Sequence, residues 1–316
     1  MTEHHAMIPS HHAGLRLFVD HQPARGREGG SRPVLYVHGA TFPSALSIAH
    51  RFDGYSWADD LAEAGFDVWG FDFHGFGSSD PFPEMARAAE ERPALGATPD
   101  AAAQIESVAR FVLRESGARS LSIVAHSWGT IAAGLFASRF PALVDRLVFF
   151  GPITRRDGGS AAVLPAWGLV TAEEQWARFV ADVPAGEAAV MSRRHFADWG
   201  ARYLESDGAS AERSPPAVRV PNGPRQGIAD AWAGKLGYDP AAISAPVAII
   251  RGEWDSLCTD TDAAGLFRSL TASPVRRDVK ISRATHLMHL ESGRFALYRE
   301  TGSFLAGGDL AAMEDA

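Results

Sequence analysis

The stretch Leu121–Gly129 reads LSIVAHSWG and is the strongest indication of the fold in this sequence. Its first five residues form a compact apolar run that is typical of a buried strand, and a helical pattern follows over Thr130–Arg139. Ser127 therefore lies in a short turn between a strand and a helix. Such a turn exposes the serine hydroxyl when small residues two positions before and after it let the backbone pass close to its neighbours. Ala125 and Gly129 are those small residues, so the pattern predicts an exposed and rigidly held serine.

Similar apolar runs alternate with helical patterns on both sides of this turn. The predicted strands are 34–37, 66–71, 121–125, 146–150, 247–250 and 275–281, and the predicted helices among them include 57–64, 101–115 and 130–139. Strands that alternate with helices of about 10 to 15 residues indicate βαβ units and a parallel sheet covered on both faces. A pattern over Gly14–Asp20 predicts an early strand in an antiparallel N-terminal hairpin. The sequence therefore predicts an α/β fold with a mostly parallel, twisted central sheet.

The alternation breaks between Gly151 and Pro240, where no buried strand is predicted. This stretch has helical patterns over 171–180 and 187–204, and it holds four of the eight tryptophans, Trp167, Trp176, Trp199 and Trp232. Open α/β sheets bind ligands at the carboxyl ends of their strands, so we predict that residues 152–240 form a helical lid over that edge. Residues 1–151 and 241–316 would then form the core domain. Ordinary helix packing is the alternative role of these aromatic side chains.

The composition excludes several classes of protein. With 46% apolar and 22% charged residues among 316, the chain is neither disordered nor fibrous, and it is long enough to bury a large core. The single cysteine, Cys258, excludes an internal disulfide and argues against a cysteine–zinc cluster. A net charge of −8 argues against nucleic acid or an anionic membrane as the main partner, since both call for a basic surface. The first residues lack the pattern of a secretory signal and no apolar run is long enough to span a membrane, so we expect a cytoplasmic protein.

Four further motifs accompany the Ser127 turn along the predicted strands. They are LYVHGA at Leu35–Ala40, FDFHGFGSSD at Phe71–Asp80, IIRGEWD at Ile249–Asp255 and ATHLMHLE at Ala284–Glu291. Together with the chain order serine, acid, histidine, these motifs resemble those of the α/β-hydrolase family, and the resemblance extends over most of the chain. It implies an α/β-hydrolase fold of the serine esterase or lipase type with an inserted helical lid. Trp128 after the serine, together with the lid, is also similar to proline iminopeptidases.

The resemblance implies a role for each residue that matches a motif. Ser127 would be the nucleophile, and His286 would be the general base that takes its proton and later protonates the leaving group. Asp255 would orient His286 and stabilise the imidazolium that forms. The backbone N–H groups of Ala40 and Trp128 would hold the oxyanion.

The residues alone leave alternatives for each role. Ser127 could instead be a helix N-cap, because serine is favoured there. His289 lies three residues after His286 and is the other candidate for the base. The other carboxylates that could serve as the acid are Glu253, Asp260, Asp262 and Asp157.

Several other side chains are candidates for the substrate pocket or for bracing the loops around it. The possible pocket residues are His38, Thr41, His126, Trp167, Trp176 and Trp199. The end of the Leu35–Ala40 motif, with Thr41 after it, would form the oxyanion loop, and we expect His38 to brace this loop. We expect His74 to brace the loop after the next strand. His126 comes just before the serine and points away from the hydroxyl in a sharp turn, so we expect a structural hydrogen-bonding role rather than a second base.

Metal and nucleotide sites are poorly supported by the spacing of the residues. His286 and His289 are three apart with no glutamate between them, unlike the spacing of H-E-x-x-H zinc sites. Gly75–Asp80 lacks the third glycine of a dinucleotide-binding loop. Four N-terminal histidines could bind a metal ion, but we expect a solvated, poorly ordered terminus at His4, His5, His11 and His12. We therefore predict no metal and no organic cofactor.

The predicted activity is hydrolysis of an ester-type acyl bond through an acyl-serine intermediate. The aromatic lid indicates a small, largely apolar or aromatic substrate, since such side chains line pockets that bury apolar groups. The alternatives are an acyltransferase, an amidase or proline iminopeptidase with the same triad, or a non-catalytic ligand-binding protein. A small-molecule substrate is the expected partner, and the sequence does not determine the oligomeric state.

Overall fold

The computed structural model describes residues 4–26 and 31–307. The strands in these ranges are β1 (His4–Pro9), β2 (Arg16–Gln22), β3 (Pro33–Val37), β4 (Asp67–Phe71), β5 (Leu121–His126), β6 (Val144–Phe150), β7 (Trp167–Thr171), β8 (Ala217–Pro221), β9 (Val247–Gly252) and β10 (Arg276–Ile281). The α-helices are α1 (Trp57–Glu63), α2 (Thr98–Ser116), α3 (Gly129–Arg139), α4 (Ala172–Val180), α5 (Arg193–Glu205), α6 (Gly223–Trp232), α7 (Asp260–Ser269) and α8 (Arg294–Ala306). No helix of the described ranges is long and apolar enough to cross a membrane.

Eight strands form one central sheet in the order β1-β2-β4-β3-β5-β6-β9-β10. The six strands from β4 to β10 in this order are parallel to their neighbours, and β2 runs antiparallel to both β1 and β4. The predicted α/β fold, its mostly parallel sheet and the N-terminal hairpin are therefore confirmed. The serine turn follows β5, in the middle of the parallel strands, so both neighbouring strands hold it in place.

Successive residues of the central strands pack on opposite faces of the sheet. In β3, Leu35 packs into the cluster beneath α2 and α3, whereas Tyr36 packs into the cluster beneath α1 and α8. In β5, Ile123 and Val124 divide in the same way. Because both faces are covered by helices, both members of each pair are apolar and fully buried. This explains why the strands appear in the sequence as continuous apolar runs.

The segment between β6 and β9 contains α4, α5 and α6, and it also contains two strands. β7 and β8 pair antiparallel, with Trp167 opposite Pro221 and Thr171 opposite Ala217. The prediction that this segment holds no buried strand is wrong, because the two strands are short and their partners lie far apart in the sequence. The helix predicted from residue 187 begins later, at α5, where the Ser192 side chain accepts a hydrogen bond from the backbone N–H of His195.

The N-terminal histidines belong to the folded structure. His4 and His5 lie in β1, where they pair with β2. The Nε2 atoms of His11 and His12 contact Asp100 Oδ1 at 2.9 Å and 2.5 Å. The expected poorly ordered terminus is therefore wrong for these residues, because strand pairing and a carboxylate partner hold them; the first three residues lie outside the described ranges.

Candidate active site

Ser127 occupies a strained turn between β5 and α3. Its φ of +56° lies in the left-handed region, which a residue with a side chain rarely adopts. Ser127 N donates to Phe150 O at 2.9 Å, which ties the turn to β6. A Cβ atom on Gly129 would lie 2.5 Å from the carbonyl oxygen of His38, so only glycine fits this close approach. The helix begins at Gly129 with no side-chain cap, so the alternative role of Ser127 as an N-cap is wrong.

Three side chains from distant parts of the chain meet at this turn. His286 Nε2 lies 2.8 Å from Ser127 Oγ, and His286 Nδ1 lies 3.0 Å from both carboxylate oxygens of Asp255. Asp255 follows β9 and His286 follows β10, so the carboxyl ends of three parallel strands bring the residues together. All three are nearly buried, with 3%, 4% and 4% of their surface exposed in the order Ser127, Asp255, His286. This serine–imidazole–carboxylate relay is the arrangement that activates a serine hydroxyl for nucleophilic attack.

The carboxylate of Asp255 is held by its own loop. Its Oδ1 accepts hydrogen bonds from the backbone N–H groups of Leu257 at 2.9 Å and Cys258 at 3.0 Å. A Cβ on Gly151 would lie 3.0 Å from His286 Nδ1 and 3.1 Å from Asp255 Oδ2, so the end of β6 passes directly against the pair. The His286 ring is therefore held between the carboxylate of Asp255 and the backbone at Gly151.

The other acidic candidates are engaged elsewhere. Glu253 accepts from the backbone N–H of Arg283, and Asp260 binds Arg251 and Lys280. Asp262 caps α7 and pairs with Arg156, with 2.6 Å between Nη2 and Oδ2. Asp157 is exposed beside Arg155. Among the described residues, only Asp255 places a carboxylate against His286.

The backbone N–H groups of Ala40 and Trp128 lie in the two loops that border Ser127. Ala40 follows β3, the neighbour of β5 in the sheet, and Trp128 directly follows the serine. Within residues 4–26 and 31–307, neither amide nitrogen donates to another group. A buried N–H without a partner is uncommon, and two such donors beside a nucleophile fit the role predicted for an oxyanion hole.

The second imidazole of this region, His289, does not contact Ser127. Both of its ring nitrogens lack a hydrogen-bond partner, and its ring centroid lies 4.6 Å from that of His126. Burial holds the pKa of both imidazoles well below the usual range, so both are neutral. The Nε2–H of neutral His126 donates to the carbonyl oxygen of His286 at 3.1 Å. His126 therefore supports the loop that carries His286, which is the structural role expected from the sequence.

His38 and His74 brace their loops through both ring nitrogens. Burial lowers the pKa of His38 to about 4, so its neutral ring donates from Nδ1 to Gly39 O and accepts at Nε2 from Phe73 N. His74 pairs with Asp80 O and the hydroxyl of Ser10. These hydrogen bonds join the loops after β3 and β4.

The other predicted pocket residues have packing contacts in the structure. Trp199 is fully buried, with Nε1 donating to Leu46 O at 2.8 Å. Arginine side chains cover the rings of Trp167 and Trp176, at 4.4 Å and 3.7 Å from the ring centroids. Thr41 lines a surface cavity of about 380 Å³ between the oxyanion loop and β8. A larger cavity of about 970 Å³ is lined by residues of the loops around α7 and not by Ser127, Asp255 or His286.

Glu291 is a buried acid. In the sequence it is only the last residue of the Ala284–Glu291 motif that contains His286. Its carboxylate accepts hydrogen bonds from the backbone N–H and the hydroxyl of Thr285, the residue before His286. Burial raises its pKa to about 7, and these hydrogen bonds only partly oppose that shift. Glu291 therefore shapes the histidine loop, and no local pattern in the sequence reveals its burial.

Replacing Glu291 with glutamine should change how stability depends on pH. The pKa of Glu291 rises from 4.5 in the unfolded chain to about 7 in the folded protein, so the folded state binds the extra proton between these values. Stability from this group is therefore present below about pH 4.5 and falls as the pH rises toward 7. We expect Glu291→Gln to gain on the order of 2–3 kcal/mol relative to the wild type between pH 5 and pH 8. Urea unfolding of both proteins across this range measures the change; an equal difference in unfolding free energy at every pH would contradict it.

A separate cluster of potential metal ligands lies outside this site. His11, His12 and Asp100 place one ligand atom each within 4.8 Å of one another, which among the described residues is the one group of this kind. Both imidazoles share one carboxylate oxygen, and the group is partly exposed. The expectation that the chemistry at Ser127 needs no metal and no cofactor stays a prediction.

Comparison with known proteins agrees with this architecture. A family model described as the alpha/beta hydrolase fold matches residues 32–292. Lipase member N of Mus musculus is 26% identical over 129 residues, which are 41% of this chain and 32% of that protein. The chain thus matches about a third of the length of this curated relative.

Two solved structures superpose over nearly the whole chain. The thioesterase domain from the curacin biosynthetic pathway has a TM-score of 0.63 at 15% identity, covering 97% of this chain and 100% of that one. A serine hydrolase from the polyaromatic hydrocarbon-degrading bacterium Cycloclasticus zankles has a TM-score of 0.60 at 16% identity, covering 97% and 99%. At these identities the superpositions support the fold and leave the substrate open.

Proposed function

Because the chain belongs to the α/β-hydrolase fold family, we propose that it is a serine hydrolase that cleaves an ester-type acyl bond. The observation that carries the proposal is the relay from Ser127 Oγ through His286 to Asp255, with distances of 2.8 Å and 3.0 Å. The two unpartnered N–H groups beside the serine support the same chemistry. The names of the relatives, a lipase and a serine hydrolase, are consistent with it.

The mechanism follows from this geometry in two halves. His286 Nε2 takes the proton of Ser127 Oγ as the oxygen attacks the acyl carbon, and the N–H groups of Ala40 and Trp128 stabilise the negative oxygen that forms. The intermediate collapses when His286 returns the proton to the leaving alcohol, which leaves an acyl-serine. Water then attacks the acyl carbon and gives a proton to His286. When the bond between the acyl carbon and Ser127 Oγ breaks, His286 returns that proton to Oγ and the acid leaves. Asp255 accepts the Nδ1–H of His286 and stabilises the imidazolium in both halves.

We also propose that residues 152–240 act as a lid. Two contacts support this role: Arg178 Nη1 donates to Thr41 Oγ1, next to Ala40, and Ser256 N, next to Asp255, donates to Asp182 Oδ2 at 3.2 Å. α4 and the turn after it therefore touch loops on both sides of the serine. Such contacts would let this segment shield the serine, which is only 3% exposed, from bulk water.

A fluorophosphonate probe tests the nucleophile directly, because it labels only an activated serine. We expect the wild type to be labelled and Ser127→Ala not to be labelled. Ser107→Ala, which removes a hydroxyl bonded to Ala103 O within α2, is the matched control and should label like the wild type. An unlabelled wild type would contradict the proposal and favour a non-catalytic binding protein.

The choice of ester over amide requires a separate comparison. Short-chain aryl esters should be turned over faster than the matching anilides and proline arylamides, because an alkoxide or phenoxide leaves more easily than an amide anion. Faster hydrolysis of the amides would favour an amidase or iminopeptidase. Transfer of the acyl group to an added alcohol in preference to water would favour an acyltransferase.

A further inference from the structure

An arginine of the proposed lid lies directly over the oxyanion loop. Arg178, on α4, donates from Nη1 to the hydroxyl of Thr41 and to Gln175 Oε1, the latter at 3.2 Å. Thr41 is the residue after Ala40, whose N–H is proposed to bind the oxyanion. The charge of Arg178 also lowers the pKa of His126, the neighbour of the nucleophile. Its guanidinium is therefore near the reacting centre.

Arg178 has no acidic partner, although it is partly shielded from solvent. Among the described residues, no carboxylate oxygen lies within 4.0 Å of its guanidinium nitrogens or of those of Arg225. Two other shielded arginines of the segment pair with acids, Arg156 with Asp262 at 2.6 Å and Arg213 with Asp207 at 2.7 Å, whereas Arg219 donates to the backbone oxygen of Met85 and stacks on Trp167. Shielding a cation from water without a counter-charge is unfavourable, so an unpaired and half-buried arginine needs a compensating reason.

A second arginine lies close to the first. Burial lowers the pKa of Arg178, and the next largest cause is the positive charge of Arg225 on α6. Arg225 lies against β7, where a Cβ on Gly168 would be 3.2 Å from Arg225 Nη1. Its one hydrogen bond in the described chain is a long contact to Asn222 Oδ1 at 3.5 Å. The second arginine is therefore close enough for its positive charge to act on Arg178, and it has no strong partner of its own.

The polar groups around this pair are donors rather than acids. Gln175 is fully buried, and its Nε2 has no hydrogen-bond partner among the described residues. Glu174, one turn before Arg178, accepts from the N–H and the hydroxyl of Thr171 in a capping box. Arg178, Arg225 and the side-chain N–H of Gln175 therefore have no anionic hydrogen-bond acceptor among the described residues.

We propose that Arg178 and Arg225, with the amide of Gln175, bind a carboxylate of the substrate, so that the ester this enzyme cleaves is anionic. The inference rests on the proposed hydrolase function and names its substrate class. Guanidinium groups bind carboxylates through paired, charge-assisted hydrogen bonds, and a bound anion would remove the repulsion between the two arginines. The substrate then differs from the largely apolar one expected from the aromatic residues of the lid.

Two pairs of esters test the proposal, each matched in size and differing in one charge. The first compares 4-nitrophenyl hydrogen glutarate with its neutral methyl ester, and the second compares the butyrate ester of 4-hydroxybenzoate with that of methyl 4-hydroxybenzoate. The first pair places the carboxylate on the acyl side and the second on the alcohol side. We expect the wild type to prefer the anion in at least one pair by roughly tenfold to a hundredfold in kcat/KM.

Variants of the two arginines should remove that preference. We expect the anionic-to-neutral ratio to approach one in Arg178→Gln and in Arg225→Gln, and to be intermediate in Arg178→Lys, which keeps the charge without the planar fork. Arg202→Gln is the matched control, since it removes an exposed arginine of α5 that pairs with Asp198 at 3.4 Å. An unchanged ratio in the arginine variants would show that Arg178 only fastens the segment to Thr41, and it would overturn the proposal.

A binding measurement separates this inference from the proposed hydrolase activity. The Ser127→Ala variant is titrated calorimetrically with the same four esters, which it cannot cleave through an acyl-serine. Tighter binding of an anionic ester by about tenfold, lost on adding Arg178→Gln, supports the anion site whether or not the wild type is a hydrolase. Equal binding within both pairs, in a protein whose wild type reacts with fluorophosphonate, rejects the anion site and leaves the hydrolase standing.

Discussion

Replacing His286 with alanine is expected to lower kcat/KM for a short-chain aryl ester by roughly 10⁴- to 10⁶-fold. His286 Nε2 lies 2.8 Å from Ser127 Oγ, and no other imidazole of the described chain has a hydrogen bond to that oxygen. Without it the serine keeps its proton and is a weak nucleophile. Steady-state kinetics with a 4-nitrophenyl ester measure the loss, and circular dichroism shows whether the variant is folded.

The same experiment distinguishes a relay from independent contributions. Ser127→Ala should cost a similar factor, and the double variant should be no slower than either single one, because the two groups act as one unit. His289→Asn is the control that represents the other histidine considered for the base. Its ring contacts His126 and Phe42 but not the serine, so we expect a loss below about tenfold. A larger loss in His289→Asn than in His286→Ala would transfer the role of base to His289.

Replacing Asp255 with asparagine is expected to lower kcat by roughly 10⁴-fold with little change in fold. The amide oxygen can still accept from Leu257 N and Cys258 N, at 2.9 Å and 3.0 Å in the wild type. The amide NH₂ then faces His286 Nδ1, and this stabilises the tautomer that carries its proton on Nε2. In that tautomer His286 cannot take the proton of the serine.

The matched control for the acid is Glu253→Gln. Glu253 lies two residues before Asp255 in the same loop and binds the backbone N–H of Arg283, not the imidazole. We expect its kcat to stay within about threefold of the wild type, since the substitution changes a peripheral charge. Comparable losses in the two variants would mean that the loop conformation, rather than the carboxylate at His286, determines the rate. A pre-steady-state burst of nitrophenol, if present in the wild type, should disappear in Asp255→Asn.

The local turn around Ser127 was predictable because its requirements are local. A strand, a sharp bend and a helix need apolar residues, small residues and a 3.6-residue period at fixed positions, all of which are visible within Leu121–Arg139. The antiparallel pair of β7 and β8 was not predictable in this way. Thr171 pairs with Ala217, so the stability of each strand comes from a partner that no local window contains.

The same contrast applies to the residues around the serine. Motif order indicated Asp255 as the acid and His286 as the base. Glu253 and Asp262 stayed as alternatives for the acid because any carboxylate can bind an imidazole. His289 stayed as the alternative for the base. The 3.0 Å contacts between His286 and Asp255 come from the alignment of β9 and β10 in the sheet. Strand order is a property of packing, so sequence spacing alone could not separate the candidates.

The α/β architecture and the serine turn follow from local sequence patterns, since backbone conformation and apolar periodicity act over a few neighbouring residues. The burial of Glu291 against Thr285 and the contact of Arg178 with Thr41 depend instead on how distant segments pack. Burial and charge proximity arise from contacts between segments far apart in the chain. An arginine in a helical pattern looks the same in the sequence whether it faces water or an oxyanion loop, and its free energy differs because water screens the first and not the second.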